Sequence, residues 1–210
     1  MMRFTEGNMA NELDIYIDEL QHTVILAELN YDVWWVYEGK ETREQFLGAM
    51  NDYVSFFTIS IHAHFVAMLT ALYRLYETRQ DTKNIPQLLR LIEAEGSVDK
   101  TVLKELEERC SSEAKSLWLK VSDLRNKAFS HRSKSLSVEE VFQKAAIKPN
   151  DLVRLIEVSK ELLNKITEKR SRSTNAFNLT SRGDVIGILE VLTDIWKRRQ
   201  QEIERLSAPA

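Results

Sequence analysis

Apolar residues recur along this chain at alternating intervals of three and four, the period of one buried helix face. The first such line starts near Asn11 and runs Leu13, Ile17, Leu20, Val24, Ala27, Tyr31, Trp34. A second row, Leu26, Leu29, Val33 and Val36, widens that face, so the helix should meet more than one neighbour before Gly39 stops it. After a short segment from Thr42, a candidate cap, to Met50, a helix is expected from about Asp52 to Thr78. Phe57, Ile61, His64, Met68, Leu72 and Leu75 make its main stripe, with Phe65, Leu69 and Tyr76 beside it. Val, Ile, Phe and Thr would tolerate a strand here, but length and period decide for helix.

Asn84 and Pro86 open a short helix that Gly96 ends. Ser97 is the next candidate cap, leading a long run with core positions Leu103, Leu106, Cys110, Ala114, Leu117, Val121, Leu124 and Ala128. Ser133 to Ser137 should turn the chain, with Ser137 and Glu140 forming a capping box for a helix from Val138 to about Ala146. Lys148-Pro149-Asn150 breaks that helix, and Asn150 caps another with the stripe Leu152, Leu155, Ile156, Ser159, Leu162, Leu163, Ile166. The polar stretch from Lys169 to Asn178 is expected to be a mobile loop. The last helix, about Gly183 to Leu206, presents Val185, Leu189, Leu192, Ile195 or Trp196, Ile203 and Leu206. The expectation is an all-α protein, an antiparallel helical bundle in a single domain of residues 1–210.

Composition narrows this picture. Six Gly and three Pro are too few for the turns of a many-stranded protein. A single cysteine, Cys110, rules out an internal disulfide framework and a Cys-based zinc site, and suits a reducing, cytoplasmic setting. Arg3 is followed by no apolar run or small-residue cleavage site, so no signal peptide is expected. From Tyr53 to Tyr73 there is no Asp, Glu, Lys or Arg, which is the length of a membrane span. Ser55, Thr58, Ser60, His62, His64 and Thr70 would all need partners in lipid, so the expectation is a central helix buried on most sides, and no membrane.

Charge singles out one segment. The chain carries a formal −3, and residues 1–60 hold eleven acids against three bases. Residues 115–134 instead carry Lys115, Lys120, Arg125, Lys127, Arg132 and Lys134 against Asp123 alone, 6 − 1 = +5, which draws a polyanion. Metal chemistry has little to build on. Glu19-Leu20-Gln21-His22 is a lone Glu-x-x-His, and His62 and His64 point about 200° apart on a helix. No His-Glu-x-x-His, phosphate-binding Gly-rich loop or Gly-x-Ser-x-Gly occurs, and no cofactor is called for.

Arg125, Asn126 after it, and His131 after five intervening residues resemble the signature of the HEPN superfamily of helical nucleotide- and RNA-binding domains. Leu-Arg-Asn-Lys-x-x-x-His, Leu124 to His131, is similar to its abortive-infection branch, and the likeness covers about residues 10–170. The resemblance implies a metal-independent, dimeric endoribonuclease of the toxin type, in which Arg and His line one cleft and promote attack of a ribose 2′-hydroxyl on the adjacent phosphate. The side chains suit those roles. His131 is of the side-chain type whose unperturbed pKa lies close to neutrality, as a general acid or base needs. Arg125 offers a permanent planar cation to phosphoryl oxygens. Asn126 could orient either partner or the ribose, while Lys120, Lys127, Arg132 and Lys134 would hold the RNA backbone.

Residues six apart on a helix are separated by roughly 240°, so Arg125 and His131 meet only if the helix loosens before His131 or if two subunits share the cleft. The same positions also fit a surface arginine and a histidine favoured at a helix C-terminus. A catalytically silent module binding nucleotide, RNA or a protein through the same cleft is the rival reading. Toxins of this group that are neutralised by a nucleotidyltransferase partner carry Tyr two residues after the His. Ser133 stands there, which separates this chain from that antitoxin mechanism while leaving an antitoxin protein as a partner class.

Overall fold

The computed structural model describes residues 6–79, 81–130 and 138–207. Among them are α1 (Glu6–Glu38), α2 (Lys40–Asp52), α3 (Val54–Tyr76), α4 (Ile85–Glu95), α5 (Lys100–Arg109), a π-turn (Cys110–Ala114), α6 (Lys115–Ser130), α7 (Val138–Ala145), α8 (Pro149–Ser171) and α9 (Arg182–Ser207), and no strand. The all-α class inferred from periodicity is the class observed. Two compact units form, one from Met1–Glu28 and Leu69–Asn178, the other from Leu29–Met68 and Leu179–Ala210.

The first unit is built on α8, whose Leu152, Leu155, Ile156, Val158, Leu162, Leu163 and Ile166 are at most 2% exposed. Helix α6 packs on α8 and α7, and α4 packs on α5. The Tyr76 hydroxyl, fully buried, shares a 2.9 Å hydrogen bond with Ser159, and Ser159 also donates to the Leu155 carbonyl. A buried polar pair inside an apolar core persists only when satisfied in this way.

Asn84 closes the loop between α3 and α4. Its side-chain oxygen accepts from the Gln87 N–H at 2.8 Å, the helix cap that Asn84 and Pro86 announce. Its amide nitrogen donates to the carbonyls of Arg79 and Thr82, and its backbone N–H donates to the Tyr16 hydroxyl, which in turn donates to the Asn84 carbonyl. Gly96 ends α4 at φ 72°, a conformation glycine adopts without penalty.

In the second unit α2 packs on α9. Val33, Val36, Tyr37, Phe46, Met50, Phe57, Val185 and Leu189 form its core. A Cβ on Gly48 would come within 2.7 Å of the Trp196 ring, so the absent side chain is what lets α2 receive that indole. Gly39 separates α1 from α2 because a Cβ there would lie 2.6 Å from the Trp35 carbonyl oxygen.

Several expectations are corrected. Helix α3 is not buried on most sides: Val54, Phe56 and Ile59 are 57%, 62% and 70% exposed. By length and composition it is long and apolar enough to cross a membrane. Asp99, not Ser97, caps α5, accepting from the Thr101 N–H. Helix α8 begins one residue before Asn150, with Asp151 reaching back to accept from the Lys148 N–H. The stretch from Lys169 to Asn178 is anchored: Lys169 and Arg170 still belong to α8, Asn164 and Asn175 exchange two hydrogen bonds, and Phe177 is buried. Ile203 and Leu206, expected in the core, are exposed at the end of α9. The expected turn at 133–137 and its cap Ser137 lie outside the described residues.

Replacing Asn84 with Ala removes the cap and the donor to the Thr82 carbonyl, while the Arg79 carbonyl keeps the Thr82 hydroxyl, a loss of about 1–3 kcal/mol. Denaturant unfolding of Asn84→Ala should show that loss, and a change below about 0.5 kcal/mol would contradict the network's role.

Candidate nucleic-acid interface

Helix α6 is positioned by its buried line. Leu117, Val121 and Leu124 follow Ala114 into the core of the first unit, all at most 9% exposed. On a helix the residues one place further on, Trp118 and Arg125, are seven apart and therefore share a face at the core's margin, about 10 Å from each other along the axis. Both are half-buried, and Asn126 beyond them is exposed.

One side chain of α3 joins the two. The Trp118 indole N–H donates to the Tyr73 carbonyl at 3.0 Å, and the rings of Trp118 and Tyr73 lie 5.6 Å apart, tilted by 32°. The Arg125 guanidinium carbon sits 4.3 Å from the centre of the Tyr73 ring. Stacked in this way the guanidinium keeps its edge donors available, and among the described residues Arg125 forms no ion pair. The arrangement can hold a phosphate or carboxylate in the plane of the fork.

The π-turn that leads into α6 has a visible local cause. The hydroxyls of Ser111 and Ser112 both donate to the Glu108 carbonyl, Ser112 at 2.6 Å. Side chains occupying that acceptor compete with the backbone N–H that would complete an α-turn. On the far side of this segment Arg109, Glu113, Arg154 and Glu161 form an ion-pair lattice. Arg154, and secondarily Arg109, hold the Glu113 carboxyl below the usual range.

The sequence-derived site residues fare differently. Arg125 and Asn126 are adjacent on α6, and Lys127 belongs to its last turn. Lys120 is paired at 3.2 Å with Asp151, the acid that caps α8, so its charge is partly spent inside the fold. His131, Arg132 and Lys134 lie outside the described residues. Among the aromatic residues, Tyr76 and Trp34 are core, whereas Tyr73 and Trp118 stand at the margin beside Arg125. Their signal was an offset of one residue from the buried stripes at Leu72 and Leu117. Elsewhere, the His64 Nδ1 shares a 2.8 Å hydrogen bond with Asn30, and burial lowers its pKa, while His62 is exposed.

A family model of the HEPN type, described as AbiU2, matches residues 10–186. With an all-helical fold and a basic helix bearing Arg125, the chain is an HEPN-type protein of the abortive-infection branch. It belongs to the AbiU2 family. No curated protein and no solved structure matches it.

Burial pushes the Cys110 thiol, in the π-turn, up to about 11. At pH 8 the thiolate is then on the order of one molecule in a thousand. A thiol-specific disulfide reagent should label Cys110 in denaturant and leave the folded protein unlabelled over the same minutes; equal rates would refute that burial.

Proposed function

We propose that the protein is a metal-independent endoribonuclease of the toxin or abortive-infection type, acting as a homodimer in the cytoplasm. The observation that carries this reading is the Arg125 guanidinium laid on Tyr73, a planar cation suited to phosphate on the helix that precedes His131 in the sequence. Membership in the AbiU2 family supports the same reading.

In the proposed reaction the ribose 2′-oxygen attacks the adjacent phosphorus and the bond from phosphorus to the 5′-oxygen breaks. His131 accepts the 2′-hydroxyl proton or supplies the proton that the leaving 5′-oxygen takes. Arg125 stabilises the charge gathering on the non-bridging oxygens, and Asn126 orients the ribose or the imidazole. Lys127, Arg132 and Lys134 hold the backbone without reading sequence, with Lys120 contributing less because of Asp151. The products are a 2′,3′-cyclic phosphate and a 5′-hydroxyl.

The exposed face of α3 supports self-association. Ser55, Phe56, Ile59, His62, Ala63 and Ala67 are exposed and include no Asp, Glu, Lys or Arg. Two such faces can meet without burying a charge, as a two-fold interface requires.

With excess chelator present, the wild type should cut RNA to cyclic-phosphate ends, and His131→Ala should not. Arg125→Lys, which keeps the charge and loses the fork, should lower kcat by about 10²-fold. RNA bound equally by wild type and His131→Ala, with neither cutting, would replace catalysis with binding. Ile59→Glu should convert a dimer to a monomer in sedimentation and reduce cleavage with it; a wild type that sediments as one chain at every concentration would remove the shared cleft.

A further inference from the structure

A recess opens in the first unit, with Trp118 of α6 on its lining. It is a cavity of about 320 Å³, within the range of small-ligand sites, at the end of α3, the start of α4, the π-turn and the first turns of α6. Tyr76, Pro86, Leu89, Cys110 and Trp118 give it mainly apolar walls. Arg90 and Lys115 stand on its lining against one acid, Glu107. Both cations are exposed, and neither forms an ion pair among the described residues. The larger groove of about 630 Å³ differs: Arg109, Glu161, Lys160 and Glu157 on its lining are already paired with one another.

Walls of this kind fit a flat, mostly apolar ring, and the two cations fit an anion attached to it. Trp118 is prepared for the first task. Its N–H is spent on the Tyr73 carbonyl, which fixes the plane of the indole, and the residue both lines the cavity and packs on Tyr73. Tyr73 in turn carries Arg125, so cavity, Trp118, Tyr73 and Arg125 form one contiguous series. The π-turn contributes Cys110 and Ser111 to the lining, and such turns recur at functional sites.

We infer that this cavity is a subsite for an unpaired nucleotide of the RNA next to the phosphate held by Arg125. The base lies against Trp118 and the nucleotide's own phosphate lies at Arg90 and Lys115. The assignment to RNA rests on the ribonuclease reading; the stacking and charge chemistry does not. Base–aromatic stacking tolerates any base, so the subsite selects for an unpaired residue more than for a sequence.

The test uses the full chain and two variants, Ser111→Trp to fill the cavity and Arg90→Glu/Lys115→Glu to reverse its charge. All three altered residues are exposed, and thermal unfolding checks that each variant folds. The probes are nucleoside 5′-monophosphates, inorganic phosphate, and a short oligonucleotide with 2′-deoxy sugars that cannot be cut by 2′-hydroxyl attack, each titrated by calorimetry. The wild type should bind monophosphate and oligonucleotide, the latter more tightly, and each variant should bind both at least tenfold more weakly. In cleavage, the variants should raise KM by a similar factor and leave kcat within about threefold. Phosphate bound as tightly as the monophosphate, or unchanged affinity in Ser111→Trp, would overturn the inference. A monophosphate held more tightly than the oligonucleotide would overturn its assignment to RNA. Nucleotide bound in the cavity by a protein that cuts no RNA would sink the ribonuclease reading and leave the subsite standing, whereas cleavage with unchanged KM in both variants would do the reverse.

Discussion

Sealing Leu117, Val121 and Leu124 inside the first unit is the constraint from which the candidate site follows. Burying three leucine-sized side chains stabilises by roughly 1.5–3 kcal/mol each, far more than any single surface contact on α6. The helix therefore cannot rotate to suit its polar residues. Once that line is buried, the helical repeat puts Trp118 and Arg125 at the core's edge and Asn126 outside it. Trp118 then donates its N–H to the Tyr73 carbonyl near the end of α3, and the Tyr73 ring lies beside Arg125. The site is the margin of a packed core, shaped by the packing.

Electrostatics act on this frame in a second order. The six bases of residues 115–134 give a local +5 on paper, but Lys120 is bound to Asp151 and serves the start of α8. An exposed or half-exposed pair of this kind contributes about 0–1 kcal/mol to stability, so it organises a helix end more than it holds the fold. The attraction for a polyanion is correspondingly lower at Lys120 than a count of charges suggests. The acids and bases around Glu113 show the same economy: neighbouring helices satisfy each other's charges and leave Arg125, Arg90 and Lys115 as cations without an ion pair among the described residues.

How much of this was legible depends on what the sequence signal measures. Periodicity measures burial, and where burial is strong it was read correctly: α8's stripe, the Leu103 to Leu124 line, and the Asn84, Pro86 and Gly96 punctuation all stand where the residues put them. Periodicity fails where apolar residues are not buried. Phe56 and Ile59 on α3, and Ile203 and Leu206 on α9, have helical spacing and no cover in the chain's own fold. Caps slipped by one or two residues because Ser97, Asp99, Asn150 and Asp151 are chemically equivalent candidates, and only the backbone geometry chooses among them. Arg125 and Asn126 were legible as a motif. Tyr73 and Trp118 were not, because an aromatic residue one step off a stripe carries the same letters whether it packs inward or stacks at the edge.

That edge position has an energetic meaning for Arg125. A free arginine side chain carries about 2 kcal/mol of rotamer entropy, most of which is lost when it clamps a phosphate. Stacking on Tyr73 restricts the side chain before any ligand arrives, and the stack itself stabilises by about 0.5–1 kcal/mol at a partly exposed position. The indole hydrogen bond that pins Tyr73's neighbour reduces the freedom of the platform as well. Arg90 has only a 3.3 Å hydrogen bond to the Gln87 side chain and Lys115 no aromatic platform, so ordering them costs more for each contact made. A phosphate at Arg125 would therefore be fixed in orientation, and one at Arg90 and Lys115 held more loosely. A fixed fork beside mobile charges suits a chain that must be placed at one phosphate and released afterwards.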